Sequence, residues 1–188
     1  MSGAGQDKVA LRKQAYAARK AAFGKAKTAV RRATEHLLRH LGDPQGRIIS
    51  AYMPIRTELD PLPVMTALAT ANLICVPVIQ GKGQALRFRE WTPDAVMEEG
   101  PFGAMVPASG RMLVPDCLIV PLVGFDASCN RLGYGGGFYD RTLAELRAAG
   151  RVTAVGFAFA AQQLPALPVE PTDQALDAIV TDEGVIRP

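Results

Sequence analysis

Between residues 117 and 149 the chain runs from an apolar stretch, Cys117 to Phe125, through a loop holding Gly133, Gly135, Gly136 and Gly137, into a helix-forming segment, Phe138 to Ala149. Few architectures accommodate such a succession. A continuous apolar run belongs to a strand covered on both faces, and strands of that kind occur in parallel sheets flanked by helices. Glycines let the backbone turn through conformations closed to other residues and let its N–H groups approach a ligand. The helix that follows directs unpaired N–H groups and a partial positive charge at the same place. Together they make an anion site of the kind that holds phosphate, at the carboxyl end of a strand where open α/β sheets bind ligands. Arg131 and Arg141 bracket the loop and are suited to phosphate oxygens. Neither familiar glycine motif fits: no Gly-Lys-Ser/Thr follows, and, counted from Gly133, the third glycine of the dinucleotide fingerprint falls on Phe138. Spacing alone leaves both a phosphate cradle and a tight structural turn open.

The rest of the chain continues the alternation of helix and strand. Asp7 to Leu41 is rich in helix formers and reads as two helices broken at Gly24, the second capped by Thr28, striped by Val30, Ala33, Leu37, Leu38 and Leu41, and ended by Gly42 and Pro44. Strands are expected at Arg47 to Met53, Leu73 to Ile79, Ala85 to Trp91, Cys117 to Gly124, Val152 to Phe159 and Asp177 to Thr181, with a helix over Pro63 to Asn72. Residues 92–115 carry four prolines and three glycines and read mostly as loop. The expected architecture is an α/β domain of three layers, α/β/α, with a mostly parallel sheet. Its 188 residues suit one domain, with the basic helices of residues 1–46 packed on the α/β core.

Composition excludes several classes. With 48% hydrophobic and 21% charged residues the chain is globular rather than disordered. The longest apolar run falls well short of the ~20 residues that cross a bilayer, and the N-terminus lacks an apolar secretory core, so a soluble cytoplasmic protein is expected. Cys75, Cys117 and Cys129 are an odd number without C-x-x-C spacing and read as reduced thiols rather than disulfides or a zinc site. Residues 1–47 hold eleven Lys/Arg against three Asp/Glu, whereas residues 48–188 hold ten against fifteen. A basic N-terminus of this kind suits a nucleic acid, an acidic surface or a phosphorylated ligand, or is simply a solvated helix face. His36 and His40 stand at i, i+4 but have no third ligand and no H-E-x-x-H pattern, so a metal site there is not expected.

The residues Phe125-Asp126 followed by RLGYGGGFYDR, Arg131 to Arg141, resemble the signature of the 5-formyltetrahydrofolate cyclo-ligases, also called methenyltetrahydrofolate synthetases. The resemblance extends to Lys8, Leu11 and Arg12 in KVALR, to Glu58-Leu59-Asp60, to Phe102, Gly103 and Pro107, and to Leu167 through Thr181. The chain departs from the pattern at Cys129, where the family usually has Gly, at Thr172 for His and at Ala175 for Pro. The family is similar in fold to ribose-phosphate isomerases and CoA-transferases. What the resemblance implies is ATP- and Mg²⁺-dependent cyclisation of 5-formyltetrahydrofolate to 5,10-methenyltetrahydrofolate, with release of ADP and phosphate through a phosphorylated formyl (iminium phosphate) intermediate.

Carried over by that resemblance, Arg131 is the catalytic residue. Lys8, Arg12, Arg131, Leu132, Gly133, Tyr134, Gly135, Gly136, Gly137, Phe138 and Tyr139 hold ATP. Met53, Glu58, Tyr134, Gly135, Gly136, Gly137 and Phe138 meet the folate, with Glu58 accepting from the pterin N–H donors. Asp140 and Asp173 are the Mg²⁺ ligands, in the style of one or two carboxylates completed by phosphate oxygens. Trp91 is a further candidate pocket wall. Without the resemblance, Glu58 reads as an exposed loop acid and Lys8 with Arg12 as a solvated helix face, while for Arg131 the alternative to phosphate binding is a loop arginine paired with Asp126. Arg131 and Asp140 are expected to be exposed at the site, so that alanine at either keeps the fold. The implied partners are ATP and a reduced folate, with no nucleic acid and no membrane, the protein acting as a monomer. Rival readings are a phosphosugar isomerase or CoA-transferase-like enzyme, an inactive nucleotide- or folate-binding homologue, and a nucleic-acid-binding module using the basic helices.

Overall fold

The protein is described here as a computed structural model covering residues 3–24 and 26–188. Its helices are α1 (Gly3–Phe23), α2 (Ala26–Leu41), α3 (Leu62–Leu68) and α4 (Phe138–Ala149). The strands are β1 (Ile48–Ser50), β2 (Leu73–Val78), β3 (Arg87–Trp91), β4 (Met97–Glu99), β5 (Met105–Pro107), β6 (Met112–Leu113), β7 (Cys117–Val120), β8 (Gly124–Phe125), β9 (Arg131–Leu132), β10 (Thr153–Phe157), β11 (Ala178–Val180) and β12 (Val185–Ile186).

Eight strands form one sheet in the order β12-β11-β10-β7-β1-β2-β3-β6. The stretch β11-β10-β7-β1-β2 is parallel throughout, while β12 at one edge and β3 with β6 at the other run antiparallel. The period of two along each strand sorts its side chains into two layers. Ile49, Ala51, Ile74, Val76, Ile119, Val155, Phe157, Ala178 and Val180 face a core shared with Ala29, Ala33 and Leu37 of α2 and Val64, Met65 and Leu68 of α3. Cys75, Leu118, Val120, Ala154 and Ile179 face the opposite side, where Leu143 of α4 packs. Burying each large apolar side chain contributes about 1.5–3 kcal/mol, so these two layers dominate what holds the three-layer stack together.

The sheet contains a topological switch. β1 and β7 are neighbours, with Ile49 opposite Cys117 and Ser50 opposite Leu118. From β1 the chain crosses through α3 to β2 on one side; from β7 it crosses through α4 to β10 on the other. The connections leaving β1 and β7 therefore part at their carboxyl ends and open a crevice there, which is where ligands bind in sheets of this type.

Several local expectations are corrected. α2 begins at Ala26, not at Thr28, because alanine and lysine carry the helix upstream of the residue expected to cap it. α3 is shorter than Pro63 to Asn72, running only to Leu68. The apolar run from Cys117 is not one strand: β7 ends at Val120 before Pro121, and Gly124 and Phe125 pair instead with Leu132 and Arg131. Residues 92–115, read mostly as loop, hold β4 and β5 as a hairpin and β6 at the sheet edge. Pro107 is tolerated because β5 belongs to a two-stranded hairpin, where edge positions do not all donate to a ladder.

α1 lies against the β8–β9 hairpin, and the reason is a missing side chain. A Cβ at Gly124 would come within 2.9 Å of the Leu164 side chain and 3.2 Å of Ala15 Cβ. Glycine there admits the fully buried Ala15 and lets α1 reach over the crevice.

Candidate active site

A pocket of about 870 Å³ occupies the crevice between the carboxyl ends of β1 and β7. One wall is the glycine loop and the start of α4. Gly137 is the residue before the helix, with φ +64°, and no side chain caps the helix end. The first-turn amides are consequently left facing the pocket, which lists toward anions for the dipole reasons given above. The loop is held from behind by Asp126, which is buried and accepts hydrogen bonds from the amides of Ser128 (3.0 Å), Asn130 (3.1 Å) and Leu167 (3.0 Å). Cys129, standing where the resembled family usually has glycine, takes φ +59° in this turn and packs its buried thiol toward the Ile186 carbonyl.

Arg131 is not the partner of Asp126, nor is it exposed. Its side chain is only 5% accessible; Nη2 donates to Asp140 Oδ1 at 2.6 Å and Nη1 donates to the Gln174 carbonyl. Burial pulls its pKa down and Asp140 opposes that, leaving the guanidinium charged. Asp140 is pinned further by the Gln174 amide at 3.0 Å. Arg141 turns its guanidinium over the Phe138 ring at 5.6 Å and donates to the Gly136 carbonyl, stiffening the loop from outside.

α1 supplies a second wall. Lys8 Nζ donates to Asp173 Oδ2 at 2.9 Å and lies 3.4 Å from Glu170, while Arg12 Nε donates to the Gly133 carbonyl at 2.9 Å. These two residues are thus a face spent on the site rather than a solvated one. Burial pulls the Lys8 pKa down, but Asp173 and Glu170 outweigh it and raise it. For Asp173, burial pushes upward and is overcome by Lys8 and the Glu170 amide, so its carboxyl sits below the usual value.

The third wall comes from the turn after β1. Glu58 is buried, not an exposed loop acid: Oε1 accepts from the Tyr134 hydroxyl at 2.5 Å and Oε2 from the Ile55 amide at 2.9 Å. Burial raises its pKa, and Tyr134, the Ile55 N–H, Arg19 and Arg56 hold it back. Met53 lines the same pocket. Tyr139 lines it too, and its buried hydroxyl has no hydrogen-bond partner among the described residues. Trp91 does not reach the pocket; it is packed in the core beside Ile74, because the inward face of β3 points there. His36 and His40 also lie elsewhere, His36 Nδ1 against the Thr181 carbonyl at 2.9 Å and His40 near Arg187.

Sequence reasoning missed part of the lining. Ala104 and Met105 of the β4–β5 hairpin, with Pro77, Ile79 and Leu86, form the apolar end of the pocket. Apolar residues carry no chemical signature, and nothing short of the sheet order reveals that β2 and the hairpin end at the same crevice.

Among the described residues no group of three or more His, Cys, Asp or Glu gathers as a ready-made metal site. Magnesium does not require one, since it is commonly held by one or two carboxylates with phosphate and water completing the shell. Asp140 and Asp173 both line the pocket, and their hydrogen bonds from described residues fall on Oδ1 of Asp140 and Oδ2 of Asp173. Each carboxylate therefore keeps one oxygen for a hard cation, and the donor set fits Mg²⁺.

A parallel-sheet switch point, walled by a glycine-rich helix start, buried and half-buried cations and one enclosed carboxylate, defines an α/β enzyme of small, partly anionic molecules. The family model described as the 5-formyltetrahydrofolate cyclo-ligase family matches residues 4–182, and the chain belongs to that family. A 5-formyltetrahydrofolate cyclo-ligase of Haemophilus influenzae is 33% identical over 150 residues, spanning 76% of this chain and 80% of that one. Its Escherichia coli counterpart is 49% identical over 70 residues, 37% of this chain. Among solved structures, the 5,10-methenyltetrahydrofolate synthetase of Aquifex aeolicus superposes with a TM-score of 0.78 at 26% identity, covering 96% of this chain and 92% of its own. That of Mycoplasma pneumoniae gives 0.73 at 25%, covering 94% and 99%.

Proposed function

We propose that the whole chain is one catalytic unit that closes 5-formyltetrahydrofolate to 5,10-methenyltetrahydrofolate with ATP and Mg²⁺, releasing ADP and phosphate, as a monomer in the cytoplasm. The observation that carries this reading is the meeting, in one pocket, of an uncapped, glycine-rich helix start with the enclosed carboxylate Glu58. A phosphate cradle alone fits many enzymes. Joined in the same cavity to a buried acceptor suited to the amino and ring N–H donors of a pterin, it fits a reaction between a folate and a nucleotide.

The chemistry needs such an arrangement because a formamide oxygen is a very poor leaving group. The formyl oxygen attacks the γ-phosphorus and ADP departs with the electrons of the broken P–O bond. N10 then adds to the activated formyl carbon, losing its proton, and the C–O bond breaks as inorganic phosphate leaves. The formyl oxygen ends in the phosphate, so atoms and charge balance. In this scheme Arg131, Lys8 and Arg12 with the amides from Gly133 to Phe138 bind and orient the triphosphate. Donors placed before the reaction stabilise charge on the transferring phosphoryl group without reorganising. Glu58 and Met53 position the pterin, and holding N10 against the formyl carbon makes ring closure effectively intramolecular. Asp140 and Asp173 would hold Mg²⁺, which supplies charge neutralisation on the phosphates.

The test is a mixture of purified protein, 5-formyltetrahydrofolate and Mg²⁺ followed at the methenyl-folate absorbance band with and without ATP. Growth of the band only with ATP is expected; a folded protein that produces none with all components present refutes the assignment.

A further inference from the structure

One charged side chain near the pocket belongs to no part of the chemistry above. Arg19 of α1 is buried, with a side chain 1% accessible. Its Nε donates to Thr57 Oγ1 at 3.1 Å and its Nη1 donates to the Tyr134 hydroxyl at 3.0 Å. The guanidinium carbon lies 5.2 Å from the Tyr16 ring centroid and 5.8 Å from that of Tyr134, so it packs against both rings, whose own centroids are 6.1 Å apart. Nη1 stands 3.9 Å from Glu58 Oε1, the oxygen to which the Tyr134 hydroxyl donates. Burying a guanidinium is costly, and apolar residues of similar volume generally serve stability as well or better. An arginine in such a place calls for a charge that it balances, and the enclosed carboxylate of Glu58 is that charge.

We infer that Arg19 is a positioning residue for the folate end of the site: it orients the Tyr134 hydroxyl toward Glu58 and keeps the Glu58 carboxylate ionised with its remaining lone pairs free for a ligand's N–H donors. Arg19 does not line the pocket, whereas Tyr134 and Glu58 do, so it acts through them. The orientation is enforced chemically. A tyrosine hydroxyl has one proton; when it accepts from Arg19, which can only donate, the proton is directed at the carboxylate. The same helix face carries Lys8 and Arg12, then Tyr16 and Arg19 at spacings of four, four and three, so one rigid element reaches Asp173, the glycine loop and the pterin-side carboxylate. The basic N-terminal helix thereby has a use besides solvation or phosphate contact.

Glu58 is faced by Arg19 from α1, Tyr134 from the glycine loop, Arg56 from its own turn, Tyr52 from the end of β1 and Tyr139 from α4. Of these only Arg19 and Arg56 favour its charge by their own, and burial opposes it. Removing Arg19 therefore moves the ionisation of Glu58 to higher pH.

The inference rests on the folate–ATP reading above, and the experiment separates the two. Initial rates of methenyl-folate formation are measured for the wild-type chain, Arg19→Gln and Arg19→Lys, varying each substrate in turn across the acid range. Arg19→Gln is expected to raise the folate KM about tenfold while the ATP KM stays within about twofold, since one charge-assisted contact to the folate side is lost. The acid limb of kcat/KM for folate should move upward by about one pH unit. Arg19→Lys keeps the charge and returns the limb to the wild-type position, but a point charge does not span Thr57 and Tyr134, so the folate KM stays raised. Equal losses for both substrates with an unmoved limb mean that Arg19 serves packing alone, and wild-type folate KM and limb in Arg19→Gln equally overturn the inference. Should Arg19→Gln fail to fold by circular dichroism, Arg19→Lys decides: a folate-selective KM increase upholds it, and no increase or an equal one overturns it. A wild-type chain without turnover refutes the catalytic reading instead; calorimetric affinities of 5-formyltetrahydrofolate and ATP for the same variants then decide the positioning role by the same ranking.

Discussion

Gly137→Ala tests whether the glycine loop is built by backbone conformation or only by the absence of bulk. Gly137 sits at φ +64°, and a Cβ there would stand 2.7 Å from Arg141 Nη1. The left-handed conformation costs a non-glycine residue roughly 1–2 kcal/mol. The guanidinium can swing away, but doing so forfeits its hydrogen bond to the Gly136 carbonyl and its position over Phe138, together about 1 kcal/mol. A loss of about 2 kcal/mol corresponds, for a chain of this size, to a fall of about 4–8 °C in Tm. Gly133→Ala is the matched control, because its φ is not positive and a Cβ there meets nothing within 4 Å. It should shift Tm by no more than about 2 °C. Differential scanning calorimetry of both variants, beside ATP titrations, reads the contrast. Equal Tm values for Gly137→Ala and Gly133→Ala would show that the loop relaxes freely, and the claim that its geometry presents the α4 amides would fall.

Four further outcomes are expected. Arg131→Ala and Asp140→Ala should each lower turnover by about a hundredfold or more, and, because the Arg131 side chain is buried against Asp140, each should also lower Tm; wild-type turnover in both would sink the phosphate-site assignment. Glu58→Gln should weaken 5-formyltetrahydrofolate binding at least about tenfold while ATP affinity changes less than about twofold, and the reverse ranking in titrations rejects its pterin role. Lys8→Met should cost about 0.5–1 kcal/mol near neutral pH. Asp173 is depressed in the fold, so its share is present above the ordinary carboxylate value of 3.8 and lost as pH falls through the folded value; Lys8 is raised, so its share is present below 10.5 and lost as pH rises beyond it. The Tm gap between wild type and variant should therefore close at both extremes, and a gap independent of pH would mean that the ion pair is not its source. Burial pushes the thiols of Cys75 and Cys117 up to about 12 and about 11 and raises that of Cys129, so a disulfide reagent should label none of them in the native protein and all three after denaturation.

Much of the fold was legible because its signals are local. The helix from Phe138 to Ala149 follows from propensity and from Gly150 beyond its end, and the apolar runs at Leu73 and Cys117 follow from the needs of a doubly covered strand. The glycine loop was legible for the same reason, since backbone permissiveness is written residue by residue. Wrong or missing local expectations trace to competition from elsewhere in the chain. Pro121 ended β7 early because β8 had a better partner in β9, and the 92–115 stretch formed strands because edges of the sheet and of a hairpin accept proline.

What the sequence determined by itself is most of the backbone segments, that one of them is a glycine-rich turn running into a helix, and, through its motif, the family. What only the tertiary structure decided is who meets whom. Glu58 and Tyr134 are 76 positions apart and Lys8 and Asp173 are 165 apart, yet each pair shares a hydrogen bond. No periodicity encodes such meetings; they follow from strand order, which brings the ends of β1 and β7 together, and from Gly124, which lets α1 close over them. Burial is likewise a property of the assembled layers, and so it was the fold, not the spacing, that turned Glu58 from a loop acid into an enclosed carboxylate and Arg19 from one basic residue among many into its counter-charge.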